Sequence, residues 1–130
     1  NLTAPRNLFF DIIDELFRET GKRIDRNNDE LCFASQWGPI TPYMLSSGEK
    51  QLLLILATVL IEDNRPYILL MDEPEISLHF DWQSSLIGNI RRLNPQVQLI
   101  LSTHSPAVIM NGWMGYVTEI RSLIVNNPGE

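Results

Sequence analysis

The sequence predicts an α/β fold in which parallel strands are flanked by helices, and three observations support this prediction. The run from Tyr67 to Met71 is wholly apolar, which is typical of a strand buried on both faces of a parallel sheet. A second mostly apolar stretch, Val97 to Leu101, has the same length. Helix-like segments precede, separate and follow these runs, and this alternation is the pattern of an α/β domain.

The segments before the first strand predict a helix, a hairpin, a loop and a second helix. In chain order, we expect an amphipathic helix over 5–20 that stops at Gly21, a hairpin around the turn 27–29, and a proline-containing loop over 38–43. Ser46 or Ser47 then caps a helix that runs to about Glu62.

The segments after the first strand continue the alternation. We expect a helix over 82–93 before the second strand, a short helix from Ser105 to Met110, and a last strand from Tyr116 to Ile120.

The overall composition limits which kinds of partner and which cellular compartment we expect. Acidic residues outnumber basic ones by 16 to 10, for a net charge of −6, which disfavours direct nucleic-acid binding by this chain. Cys32 is the sole cysteine, so we expect no internal disulfide and a cytoplasmic protein. The longest apolar run, Leu52 to Ile61, is too short to cross a bilayer, so no membrane partner is expected.

Two carboxylates directly follow the first apolar run. α/β folds bind their ligands at the carboxyl ends of parallel strands, and Asp72 and Glu73 stand at such an end. Asp72 can supply an oxygen ligand to Mg²⁺, and Glu73 can deprotonate an attacking water. The alternative is a solvated strand end, because Asp-Glu pairs are common.

His104 stands at the end of the second predicted strand, roughly 30 residues after the carboxylates. Its imidazole could then hydrogen-bond a phosphate or the attacking water. A lone histidine is more often structural, and that alternative stays open.

The start of the helix after residue 45 combines hydroxyls, a glycine and a glutamate in Ser46-Ser47-Gly48-Glu49. Free backbone N–H groups at such a helix start form a good anion site. An equally good interpretation is a capping box between Ser46 and Glu49.

Together these three motifs resemble the ABC ATPase superfamily over about residues 40 to 110. Residues 45–51 are similar to the ABC signature, with Ser47 replacing its usual first glycine, and 68–73 are similar to the Walker B strand. The Glu-Lys that follows the signature glycine is similar to the SMC and RecF branch. The sequences of segments 71–79 and 103–106 are similar to those of bacterial AAA-21, AAA-15 and OLD-like ATPases, many of which serve in DNA metabolism or phage defence.

The resemblance implies ATP and Mg²⁺ as cofactors and a head-to-tail dimer with a second ATPase protomer. It assigns Asp72 to Mg²⁺, Glu73 to the general base and His104 to sensing of the γ-phosphate. The signature acts in trans, on the ATP of the partner protomer, through Ser46, Ser47, Gly48 and Glu49. The D-loop residues Ser77 and His79 are implied at that dimer interface, with plain packing as the other interpretation of His79.

A phosphate-binding loop of the form Gly-x-x-x-x-Gly-Lys-Ser/Thr is missing from the sequence. Gly21-Lys22 is followed by Arg23, and Leu16 stands where the first glycine would be, so we expect a helix stop and a solvated lysine there. We therefore expect residues 1–130 to be one partial domain, the C-terminal lobe of an ABC-type P-loop NTPase head. Within it, 1–44 form a leading part and 45–125 carry the motifs.

Two functions are consistent with these motifs. The first is ATP hydrolysis by a parent protein that includes an N-terminal P-loop lobe, either on the same chain or on a separate one, with this lobe inactive alone. The alternative is a non-catalytic, ATP-switched interaction module that regulates a nuclease or toxin partner. DNA or an effector protein would be reached through other domains. The sequence Ser47-Gly48-Glu49-Lys50 disfavours a third function, that of a transporter subunit.

Overall fold

Four helices and two small sheets organise residues 3–125, the part of the chain that the computed structural model describes. The helices are α1 (Thr3–Phe17), α2 (Ser47–Ile61), α3 (Phe80–Leu93) and α4 (Pro106–Ile109), and the strands are β1 (Lys22–Ile24), β2 (Phe33–Ser35), β3 (Gly38–Ile40), β4 (Ile68–Asp72) and β5 (Gln98–Ser102). Single 3₁₀ turns cover Pro42–Met44, Met114–Tyr116 and Ile120–Leu123.

Strands β1, β2 and β3 form an antiparallel sheet after α1. The predicted hairpin is confirmed, since Ile24 pairs with Phe33 across it. The prediction of a loop over 38–43 is wrong for its first three residues, because Phe33 also pairs with Ile40 and so extends the sheet by β3. Pro39 is tolerated there because β3 is an edge strand of this sheet.

Strands β4 and β5 pair in parallel, with Ile68 opposite Gln98 and Asp72 opposite Ser102. One face of the pair packs on the core through Leu69, Met71 and Leu99. The other face is bare: its apolar side chains Ile68, Leu70 and Ile100 are 59%, 70% and 52% exposed. The prediction that β4 is buried on both faces is therefore wrong. Within residues 3–125, the helices cover only one of its two faces.

The core lies between α1, α2, α3 and the covered sheet face. Each helix presents one apolar stripe to it, as amphipathic helices of globular proteins do. Its fully buried large side chains include Ile12, Ile13, Phe17, Phe33, Leu52, Leu56, Leu86 and Ile90. Trp82 joins α3 to α1, since its indole Nε1–H donates to the Leu16 carbonyl at 3.2 Å.

Helix α2 begins and ends where the sequence predicts. Ser46 is its N-cap, and Glu62 follows its last residue as the C-cap. Within residues 3–125, no helix is at once long enough and apolar enough to cross a membrane.

The chain after α4 differs from the prediction. A strand was predicted over Tyr116 to Ile120, but residues 117–119 have no regular structure and lie between two 3₁₀ turns. Neither β4 nor β5 pairs with this segment, and an apolar run needs a strand partner to become part of a sheet.

We predict that Leu56→Ala lowers the free energy of unfolding by about 2–5 kcal/mol, because it leaves a cavity in the core. Leu54 lies on the same helix and is 65% exposed, so Leu54→Ala is the matched control and should change stability by less than about 0.5 kcal/mol. Urea denaturation of the two variants measures the difference. Equal losses would contradict the packing described above.

Candidate functional site

The parallel register brings two sequence motifs to one edge of the sheet. Asp72 ends β4 opposite Ser102 at the end of β5, and the Ser102 hydroxyl donates a hydrogen bond to the Asp72 carboxylate. The pairing extends one residue further, since the Glu73 N–H donates to the Ser102 carbonyl at 2.8 Å. The carboxyl ends of both strands are therefore held together.

Glu73 and His104 meet at this edge. His104 Nε2 lies 3.1 Å from Glu73 Oε1, and the two side chains are 88% and 37% exposed, so both reach solvent. Glu73 has a φ of 47°, a left-handed conformation that a residue with a Cβ adopts at a cost of about 1–3 kcal/mol. The chain thus turns sharply after β4, and the carboxylate stands beside the imidazole.

The sheet edge also offers oxygen donors for a cation. The Asp72 carboxylate is exposed and adjoins the Ser102 hydroxyl. Oxygen donors of this kind, completed by water and phosphate oxygens, suit Mg²⁺. The donor set fits the Mg²⁺ role that the sequence predicts for Asp72.

The loop 73–79 leads from β4 to α3 and packs against the start of α2. A Cβ on Gly48 would collide with the Ser77 carbonyl, so glycine is required where the loop approaches the start of the helix. Ser77 itself has a φ of 73° and is exposed. His79 precedes α3 as its N-cap, and its ring packs at a tilt against Trp82 with centroids 4.2 Å apart.

His79 also belongs to an exposed group with Glu19 and Asp81, whose ligand atoms lie within 4.8 Å of one another. Of the residues between 3 and 125, this is the arrangement of His, Cys, Asp and Glu groups closest to a metal-ligand set. Exposed acidic groups often gather without a metal, so this arrangement alone does not indicate a metal site.

The start of α2 contains the capping box that the sequence offered as one interpretation. The Glu49 N–H donates to Ser46 Oγ at 3.2 Å, and the Ser46 N–H donates to Glu49 Oε1 at 2.9 Å. Ser46 and Ser47 are exposed, whereas Gly48 and Glu49 are buried. The two serines therefore lie on the surface, while the Glu49 carboxylate points into the protein.

Two residues outside the predicted motifs bind the Glu49 carboxylate. The Thr20 hydroxyl donates to Glu49 Oε2 at 2.9 Å, and Lys22 Nζ lies 3.2 and 3.1 Å from its two oxygens. The Glu49 and Lys22 side chains are 2% and 16% exposed, so the prediction of a solvated lysine is wrong. The lysine is held inside because a buried carboxylate needs a countercharge.

The pKa of Glu49 follows from this environment. Burial acts to raise it, but hydrogen bonds from the Ser46 backbone, Lys22, the Ser46 hydroxyl and Thr20 together hold it below its ordinary value. The carboxylate is therefore ionised, and its charge contributes to stability.

Sequence reasoning also missed a set of contacts between the loop 73–79 and the residues after β5. Glu75 Oε1 accepts from the Thr103 hydroxyl at 2.6 Å and from the His104 N–H at 3.2 Å. Gln83 of α3 bridges the same two segments, since it donates to the Leu78 carbonyl at 2.7 Å and accepts from the Ser105 hydroxyl. No local motif identifies these side chains. The one indication for Glu75 in the sequence is its position, two residues after Asp72-Glu73.

A protein-family model matches residues 4–111 of the chain, and its description is "AAA domain, putative AbiEii toxin, Type IV TA system" (AAA_21). Among curated proteins, "Retron Vc95 probable ATPase" of Vibrio cholerae is 33% identical over 81 residues, which are 54% of this chain and 16% of that protein. An "Uncharacterized ABC transporter ATP-binding protein" of Haemophilus influenzae is 42% identical over 65 residues, which are 49% of this chain and 24% of that protein. The chain thus spans about a sixth to a quarter of these relatives.

Solved structures with the same fold are SMC ATPase heads. An SMC head bound to the C-winged helix domain of ScpA aligns with a TM-score of 0.63 and 20% identity, over 85% of this chain and 37% of that one. A structure from work on ATP-driven dimerization and DNA stimulated activation of SMC ATPases aligns with a TM-score of 0.59 and 19% identity, over 85% of this chain and 73% of that one. The fold is therefore that of a P-loop NTPase head, as the sequence predicts.

We predict that Glu49→Gln lowers the free energy of unfolding at pH 7 by about 2 kcal/mol, since it removes the charge to which Lys22 bonds and replaces one of the two accepting oxygens by an NH2 group. The folded pKa lies below the ordinary value of 4.5, so the ionic stabilisation is complete above 4.5 and is lost as pH falls through the folded pKa. The variant should therefore lose less stability than the natural chain on acidification.

Urea denaturation between pH 7 and pH 3 measures this difference, with Glu30→Gln as the control because Glu30 is exposed. Parallel pH profiles for the natural chain and Glu49→Gln would show that the Glu49 charge does not stabilise the fold.

Proposed function

This chain belongs to the AAA_21 family of AAA domains, and from that membership we propose that it is the C-terminal catalytic lobe of an ATP-hydrolysing, ABC-type head. ATPase family membership implies a nucleotide and, typically, Mg²⁺. The proposal extends this to a reaction in which water attacks the γ-phosphate of ATP in line, with Glu73, His104 and Asp72 as the participating residues.

The observation that carries the proposal is the meeting of Glu73 and His104, 3.1 Å apart at the ends of adjacent parallel strands. The Glu73 carboxylate, which reaches solvent, can accept a proton from the attacking water as general base. The His104 imidazole, next to it and largely exposed, can donate a hydrogen bond to a γ-phosphate oxygen. Asp72 and Ser102 would hold Mg²⁺, which when bound neutralises charge on the phosphates.

We further propose that a phosphate-binding loop outside these 130 residues completes the site. The sequence has no Gly-x-x-x-x-Gly-Lys-Ser/Thr segment. The apolar face formed by Ile68, Leu70 and Ile100 supports the proposal, since parallel sheets are ordinarily covered on both faces. An N-terminal P-loop lobe packed there would cover this face and would place its loop beside the ends of β4 and β5.

The start of α2 is the proposed contact to the ATP of a second protomer in a head-to-tail dimer. Ser46 and Ser47 are exposed at a helix N-terminus, where backbone N–H groups favour an anion, and Gly48 lies directly behind them. Ser77 and His79 are exposed on the neighbouring loop 73–79, which suits an interface position. For Glu49, whose carboxylate is turned inward, we propose that it serves this contact by fixing the start of the helix.

The cellular role is part of the same proposal. A retron ATPase among the relatives and DNA stimulated activation in work on SMC ATPases support a link to DNA metabolism or phage defence. With a net charge of −6 on this chain, contact with DNA or with a nuclease or toxin effector would use other parts of the assembly.

We expect the 130-residue chain alone to release no measurable phosphate from Mg²⁺-ATP, because P-loop amides and their lysine supply most of the binding energy for the triphosphate. A phosphate-release assay, run beside the longer ATPase that contains the lobe, tests this. Turnover by the isolated chain that depends on Mg²⁺ and disappears in Glu73→Gln would refute the need for a separate loop.

In the longer ATPase, we expect Glu73→Gln to reduce turnover by about 10²–10⁴-fold, the usual contribution of a general base, and to accumulate an ATP-bound dimer. Phosphate release and light scattering measure the two effects, with Glu30→Gln as the exposed control. Normal turnover in Glu73→Gln would eliminate the general-base role. ATP-dependent dimerisation without turnover in the unmodified protein would instead favour the ATP-switched interaction module.

A further inference from the structure

Glu75 is a buried carboxylate on the loop that joins Glu73 to Ser77, the residue that contacts Gly48. It is 9% exposed, on the loop 73–79 that follows β4. Its Oε1 accepts the Thr103 hydroxyl at 2.6 Å and the His104 N–H at 3.2 Å. A single carboxylate oxygen thus ties this loop to the residue whose imidazole faces Glu73.

The stability of the fold alone does not explain a carboxylate at this position. Glu75 Oε2 is buried and has no hydrogen-bond partner among residues 3–125. A buried polar atom that lacks a partner costs free energy, and more so when it is charged. The contribution of Glu75 to the stability of the fold is therefore small. Its hydrogen bonds to Thr103 and His104 explain its presence more directly.

The His104 ring needs such support. Its side chain is 88% exposed, so packing does not fix it, and its direction depends on the backbone from which it projects. Glu75 holds that backbone at the His104 N–H. The pairing of β4 with β5 ends at Ser102. Without the Glu75 bond, the His104 backbone beyond it would lose this restraint, and with it the restraint on the 3.1 Å approach of the imidazole to Glu73.

A second tie runs in parallel at the far end of the same loop. Gln83 of α3 donates to the Leu78 carbonyl and accepts a hydrogen bond from the Ser105 hydroxyl. Between the two ties, the Ser77 carbonyl packs against Gly48 at the start of α2. The loop is therefore bound on one side to the residues after β5 and on the other side to the surface proposed to meet the ATP of a partner.

We propose that Glu75 is a positioning residue that sets His104 against Glu73 and links this pair, through the loop 73–79, to Ser77 and the Ser46–Gly48 surface. The inference rests on the proposed ATPase function and adds a residue that acts through His104 rather than on the substrate. Displacement of the loop at Ser77 by a second protomer would then be transmitted to His104 through Glu75.

The experiment uses the longer ATPase with Glu75→Ala, Glu75→Gln and Thr103→Val, and with Glu30→Ala as the exposed control. We expect Glu75→Ala to lower kcat by about 10–100-fold, because small misplacements of reacting groups have effects of this size, while the KM for ATP stays within about threefold. Glu75→Gln should retain most of the rate, since an amide oxygen can accept the same two hydrogen bonds. Thr103→Val should show an intermediate loss of kcat.

Thermal unfolding of each variant separates positioning from loss of fold. If Glu75→Ala does not fold, Thr103→Val and Glu75→Gln decide, because neither leaves a cavity. Folded Glu75→Ala or Thr103→Val that turns over at the unmodified rate would overturn the inference, as would folded Glu75→Gln that is as slow as Glu75→Ala. If Glu73→Gln in the same assay keeps full turnover, the proposed function itself fails, which is a distinguishable outcome.

Discussion

The parallel register of β4 and β5 is the constraint on which the rest of the site depends. Because Asp72 lies opposite Ser102, the two chain segments that leave the sheet emerge side by side, and this brings their polar residues within reach of one another. A shift of one residue would turn every side chain of a strand to the other face of the sheet. It would separate Glu73 from His104 and turn the core-facing side chains of that strand to solvent.

A second constraint is the buried charge of Glu49. Burial of a carboxylate costs free energy unless hydrogen-bond donors replace the lost water, and for Glu49 the donors come from the helix start itself and from Thr20 and Lys22, which follow α1. The antiparallel sheet thereby helps to define where α2 begins. The surface formed by Ser46 and Ser47 is consequently fixed by residues well outside the motif to which it belongs.

The sequence allowed prediction where the signal is local. The cap at Ser46, the turn of the first hairpin and the polar ends of both apolar strands each depend on residues close together in the chain. The contacts of Lys22 with Glu49 and of Glu75 with Thr103 join residues 27 and 28 positions apart, so no local pattern identifies the partner of either residue. Strand β3 was missed because proline suggested a loop, although an edge strand tolerates it. The roles assigned to the site residues themselves stay predictions.

The bare face of β4 and β5 has a consequence for the colloidal behaviour of this chain. Apolar side chains on one face and unpaired edges within the described part of this sheet make a template on which another sheet can stack or add a strand. The net charge of −6 opposes such self-association by electrostatic repulsion, and salt weakens that protection. A higher ionic strength of the buffer should therefore lower the concentration at which this chain aggregates.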